Sequence, residues 1–191
     1  MARGRPQKQS IEFAGWAVDI FDNEPKIDKL LDAQGCQGFV IYFYLCQRAY
    51  GSNGYFYKWS YDDAPTTARK IGGGVGSQAV IDTVRLCLRV GLFDNNLHVG
   101  HQILTSRGIQ KRYRHVAITR KTQQYVISDY WLLDEHESTG FTLYALKEVK
   151  DGDKLNFDPS KVNYDPSKVN YDQYKVKESK VKESKVKESK E

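Results

Sequence analysis

Six basic side chains crowd the seventeen residues from Thr105 to Lys121, TSRGIQKRYRHVAITRK: Arg107, Lys111, Arg112, Arg114, Arg120 and Lys121, with no acidic residue among them. Guanidinium and ammonium groups at this density suit one task above others, the neutralisation of a polyanion, because neighbouring like charges repel unless a counter-charge relieves them. Residues 1–149 carry 18 Lys and Arg against 15 Asp and Glu, a balance of +3. With the +6 of the stretch removed, the remainder stands at −3, so the basicity is local. Charged residues on helices are most often simply solvated. The missing acids argue against that here, since solvated helices gain from opposite charges at i, i+4.

A second set of side chains lies upstream. Gln78, Asp82, Arg85 and Arg89 fall on one face of a helix that follows Ser77. Arg and Gln are side chains that pair with base edges in the major groove, whereas Asp82 repels phosphate unless it accepts from a cytosine amino group or pairs with a neighbouring arginine. The glycine run Gly72-Gly73-Gly74-Val75-Gly76 lacks the Lys-Ser/Thr pair of a phosphate-binding loop and is not preceded by an apolar strand, so it reads as a turn between helices.

Catalytic chemistry finds few candidates. The acid clusters are Asp62-Asp63, placed to complement a helix dipole, and Asp134-Glu135 with Glu137, which read as a loop. His98 and His101 point to opposite faces of an extended chain, so no metal is expected. Neither a P-loop nor a nucleophile with a positioned base is evident, and the expectation is a protein that is not an enzyme and uses no cofactor. Cys36, Cys46 and Cys87, an odd set without CxxC spacing, suit buried thiols in a reducing compartment.

The elements that must position these groups follow from periodicity. Asn23 or Asp22 before Glu24-Pro25 starts a helix that stops near Gly35, and residues 37–50, rich in FVIYFYLC, predict a second helix buried on most sides. An aromatic strand is expected at Tyr55–Trp59, then a helix capped by Ser60 or Asp62 and ending at Ile71. Ser77 is the expected cap of the next helix, whose apolar face holds Val80, Ile81, Val84, Cys87 and Leu88 and which Gly91 stops. Leu92-Phe93 and Leu97-His98-Val99 around Asp94-Asn95-Asn96 predict a tight hairpin. Ser106 caps a final helix with Ile109, Tyr113, Val116 and Ala117 inward and Arg107, Lys111, Arg114 and Lys121 outward, flanked by Arg112 and His115. Helix, glycine turn, helix, hairpin is the order of a winged helix-turn-helix. Beyond it, residues 122–149 have no assigned place, although FTLYAL (141–146) alternates loosely like a strand.

After Lys150 the chain repeats itself, first as NFDPSKV, NYDPSKV and NYDQYKV and then as KESKV units. With 11 Lys against 9 Asp and Glu from Lys150 onward and little apolar content, this segment cannot offset the entropy of ordering. The expected organisation is a flexible basic N-terminus (1–12), a winged-helix domain (13–135), a connecting segment (136–150) and a disordered repeat tail (151–191). No apolar run is long enough to cross a bilayer and no signal peptide is evident, which points to a cytoplasmic protein with no membrane partner.

The segments FAGWAVDIFDNEPKIDKLLDAQGCQGFVIYFYLCQRAY, GYFYKW, GLFDNNLHVGHQILTSRGIQKRY and DYWLL, in that order, resemble the N-terminal domain of phage and prophage proteins of the DnaD-like replication-initiation type. Among these are Listeria-type phage proteins whose N-terminal domain has long had no known function. The likeness runs from about Phe13 to Leu133. It implies an α+β, mainly helical winged helix-turn-helix with a small antiparallel β-wing, in which GLFD supplies wing and LTSRGIQKRY the following helix. It also implies double-stranded DNA as a partner, with a replicative helicase or helicase loader, or a second copy of the chain, as further partners. Repeats stand here where fuller DnaD-like proteins have a second helical domain. The resulting reading is a non-catalytic DNA-binding protein whose surface comprises Ser77, Gln78, Arg85, Arg89, Arg107, Lys111, Arg112, Arg114 and Lys121. A protein-interaction adaptor and a winged-helix transcriptional regulator are the alternatives.

Overall fold

The computed structural model describes residues 9–146; the repeat tail and most of the basic N-terminal arm lie outside the described residues. Residues 9–12, which the sequence assigned to that arm, pack against the fold: Ile11 is buried and its N–H donates to the Tyr50 carbonyl at 3.0 Å, while Gln9 reaches the Tyr125 carbonyl.

Helix α1 spans Pro25–Ser52 and opens as expected, with the Glu24 side chain accepting from the Lys26 N–H and proline in the first turn. Gly35 (φ 60, ψ −160) breaks it into the two helices expected from the sequence. The second half is less enclosed than its composition suggests. Gly38, Ile41, Tyr42, Leu45, Cys46, Ala49 and Tyr50 are buried, whereas Val40 and Phe43 keep 42% and 39% of their surface exposed. A helix apolar all round needs neighbours on every side, and here one side receives only the irregular strap of residues 13–22.

Strand β1 (Tyr57–Lys58) leads through a 3-10 turn to α2 (Ala64–Ile71), and α3 (Ser77–Val90) follows the glycine run. Three successive glycines with positive φ, Gly72, Gly73 and Gly74, make the reversal between α2 and α3. Gly76 in extended conformation occupies the cap of α3, so Ser77 is its first helical residue and not the expected cap. Gly91 ends the helix in the left-handed region as its type predicts.

The expected hairpin at 92–99 is not formed. Asn95–His101 is a short helix, α4, because the Asp94 carboxylate caps it by accepting from the Leu97 N–H at 2.9 Å. Leu97 and His98 are consecutive and both buried, a pattern that strand alternation would split. The antiparallel sheet comes instead from distant segments: β2 (Ile103–Leu104) pairs with β1, Tyr57 opposite Leu104 and Lys58 opposite Ile103. GLFD is thus no strand, and no wing hairpin stands where the resemblance put one.

Helix α5 (Arg107–Ala117) is capped by Ser106, which accepts from the Ile109 N–H, but it stops before Lys121. Residues 118–123 turn into β3 (Gln124–Ile127), which pairs in parallel with β4 (Phe141–Tyr144). The loosely alternating FTLY is therefore a strand, and 128–140 is its crossover. Trp131 anchors that crossover by donating from Nε1 to Ser138 at 2.8 Å and by packing on Phe141, Tyr55 and Tyr113. Gln110, fully buried on α5, holds it as well: Nε2 donates to the Tyr130 carbonyl and to Thr105, and Oε1 accepts from the Leu132 N–H. Cys46 and Cys87 are buried as expected, but Cys36 is exposed.

Candidate nucleic-acid interface

Helices α2 and α3 meet through the glycine reversal and pack together beneath α1 residues, with Ala64, Ala68, Val80, Val84, Leu86, Cys87 and Leu88 buried. The most exposed charged side chains of the pair are basic. Arg69 and Lys70 are exposed in the last turn of α2, and Arg85 and Arg89 are exposed on α3.

Three of the four residues expected on one face of α3, Gln78, Asp82 and Arg85, are linked to one another. Gln78 donates to Asp82 at 2.9 Å, and Asp82 in turn lies 3.8 Å from Arg85. The Arg85 guanidinium also covers the Tyr61 ring at 5.5 Å. Asp82 thus orients a glutamine and an arginine, which accounts for the carboxylate on this face. Arg89 borders a shallow cleft shared with Ala33 and Gln34 of α1 and with Asp82, Arg85 and Leu86. Ser77 is half-buried in the first turn of α3.

The basic helix is arranged differently from its sequence. Arg107 donates to the Leu132 carbonyl and to Glu137, both at 2.6 Å, and lies 3.7 Å from Asp134. Lys111 meets the other Glu137 oxygen at 2.9 Å. The Glu137 backbone N–H, donating to Asp134 at 2.9 Å, is the main reason the Asp134 carboxyl titrates below its ordinary range. Arg112 turns inward, donating from Nε to the Tyr50 hydroxyl at 2.7 Å with its guanidinium 4.3 Å over the Trp16 ring. Arg114 is half-buried, with Nε enclosed and without a hydrogen-bond partner. Arg120 donates to the Ser10 carbonyl at 2.6 Å, and Lys121 stands exposed past the helix end. The acids absent from 105–121 are supplied by the turn at 134–137, and the signal for it was present: Asp-Glu-His-Glu follows the basic run within one short crossover.

Among the described residues, no group of three or more His, Cys, Asp and Glu side chains is gathered as a metal site requires. His98 is buried against Trp59 and Tyr61, and burial lowers its pKa. Among the described residues no helix is long and apolar enough to cross a membrane.

A mixed α+β domain with a helix pair joined by a glycine turn is the class that this geometry defines. Residues 16–109 match the Lin1244/Lin1753-like, N-terminal family. Over 133 residues the chain is 34% identical to a Listeria innocua (serovar 6a) protein described as an uncharacterized phage-related protein, Lin1244/Lin1753, with 70% of this chain and 42% of that protein aligned. The chain therefore spans under half the length of that relative. No solved structure matches significantly.

Proposed function

We propose that this chain is a non-catalytic DNA-binding protein of phage or prophage type, acting in replication initiation or helicase loading through a winged-helix-like domain of the DnaD-like kind. The observation that carries the reading is the α2–glycine turn–α3 pair with Arg85 and Arg89 exposed on the second helix and Arg69 and Lys70 at the end of the first. A second helix so presented fits the major groove, where Gln78, Arg85 and Arg89 would face base edges. The strands β1 and β2 occupy positions before α2 and after α3, as the sheet of a winged helix does, with α4 inserted ahead of β2. Lys121, Lys111, Arg107 and Arg114 would add phosphate contacts, which supply affinity without sequence preference.

The test is duplex binding measured against salt for the full chain, for Arg85→Glu with Arg89→Glu, and for Lys111→Glu with Arg114→Glu. Each lost phosphate contact should shallow the log–log slope by about 0.9. An unchanged slope and affinity in the first variant would take α3 out of the interface and sink the helix-turn-helix reading.

A further inference from the structure

The strap of residues 13–22 crosses the second half of α1 in the opposite sense to the helix. Trp16 lies against Phe43 (ring centroids 5.2 Å apart) and Phe21 against Phe39 (5.0 Å), with Phe39 stacked on Phe43. Arg112, over the Trp16 ring, fastens one end. These contacts leave much apolar surface in water: Phe13 is 71% exposed, Phe21 53%, and Val18 entirely so, beside the exposed parts of Val40 and Phe43. Single exposed apolar residues are ordinary, but five on one strap and on the helix segment it crosses mark an interaction surface.

Its charge is one-sided. From Gln9 to Glu24 the chain carries Glu12, Asp19, Asp22 and Glu24 and neither Lys nor Arg, while residues 36–47 of α1 carry no charged side chain. Asp19, next to Val18, and Asp22, next to Phe21, are both exposed. Nucleic acid and anionic lipid surfaces are repelled by such a strap. Two copies of the face laid together would oppose carboxylate to carboxylate with no cation of the strap to answer them.

We propose that this surface is the docking site for a basic amphipathic helix of a protein partner. The apolar side of that helix sits on Val18, Phe21, Val40 and Phe43, and its Lys or Arg residues lie over Asp19 and Asp22. The surface is distinct from α3, and the inference stands apart from the DNA-binding reading.

The probe is a fluorescent synthetic peptide of about 18 residues, Leu and Lys at amphipathic helical spacing, titrated with the full chain beside a Leu and Glu peptide of the same pattern. The Lys peptide should bind the wild type with a salt-dependent affinity and the Glu peptide should not. Asp19→Lys with Asp22→Lys should weaken the Lys peptide by about tenfold or more and favour the Glu peptide. Val18→Asp with Phe21→Ser, at exposed positions, should weaken it with the fold retained by circular dichroism, while Asp62→Lys, exposed on another element, should leave the preference between peptides intact. Equal binding of both peptides, or the same Lys-peptide affinity in all variants, overturns the proposal. So does self-association of the wild type, by sedimentation, that the Val18 and Phe21 changes abolish, for then a second copy covers the surface.

Discussion

Glu137 joins two basic side chains of α5 at once: one carboxylate oxygen meets Arg107 at 2.6 Å and the other meets Lys111 at 2.9 Å. The pair is bridged from a crossover loop, so the ion pairs tie residues 132–137 to the helix as well as cancelling charge. Because the basic groups are about half exposed, the pairs add little stability, on the order of 1 kcal/mol or less.

The larger consequence is for binding. If Arg107 and Lys111 grip phosphate, Glu137 competes for them, and Glu137→Gln should tighten duplex binding at low salt and steepen the salt slope, while moving Tm by only a few degrees. An unchanged slope in this variant places both residues outside the DNA contact and leaves them as a clasp for the crossover.

This clasp also shows where the sequence was legible and where it was not. Helices α1, α2, α3 and α5 follow from apolar periodicity, helped at α1 and α5 by the side-chain caps Glu24 and Ser106, signals carried within a few residues: Gly35 and Gly91 end helices where their type says they should. The error at Asp94 was local too, since Asp-Asn-Asn serves equally as a turn or as a cap, and only the burial of both Leu97 and His98 decides for α4. The basic run misled for a different reason. Charge neutralisation by Glu137 acts between residues thirty apart, and its pairing depends on a parallel β3–β4 crossover that has no period of its own in the sequence. Gln110 carries no local signal either, because its buried role is to satisfy backbone groups of a distant loop.

Gln110 provides a stability prediction. Replacing it by Leu keeps the volume roughly but leaves the Leu132 N–H and the Tyr130 carbonyl without their partner. Each such buried group costs about 1–3 kcal/mol, so Gln110→Leu should destabilise the domain by about 2–4 kcal/mol in urea unfolding. A loss below about 0.5 kcal/mol would mean that the crossover rearranges or admits water.

Gly54 sits at φ 83 with the Tyr113 ring and the Gln9 carbonyl where a Cβ would stand. Gly54→Ala therefore meets strain from both backbone and contact, and Tyr113 cannot retreat because its ring packs on Tyr55 and Trp131. We expect a loss of about 2 kcal/mol or more by denaturant unfolding, against less than about 1 kcal/mol for Gly100→Ala, whose Cβ position is open.

His98 sets a pH dependence. Burial lowers its pKa in the folded domain below the ordinary value near 6.5, so the unfolded chain binds a proton that the folded one resists. Its contribution is present above about pH 6.5 and is lost as pH falls from there toward the lowered folded value. Stability measured from pH 7.5 to pH 5 should decline, and His98→Phe, whatever its effect at pH 7.5, should flatten that decline. An identical slope in the variant would assign the dependence to other groups.

Arg112 links α5 to both α1 and the strap, through the Tyr50 hydroxyl and the Trp16 ring. A lysine reaches the ring but cannot also present a planar N–H to Tyr50, so Lys does not replace Arg conservatively here. Arg112→Lys should cost about 1–2 kcal/mol and Arg112→Ala more, because truncation also uncovers Trp16. Hydrogen exchange distinguishes a fastener of the strap from a general core residue: amides of 13–22 should lose protection in Arg112→Ala while those of α3 keep theirs. Uniform loss across both segments would show that Arg112 supports the whole core, and unchanged exchange at 13–22 would show that the Phe21–Phe39 and Trp16–Phe43 contacts alone hold the strap in place.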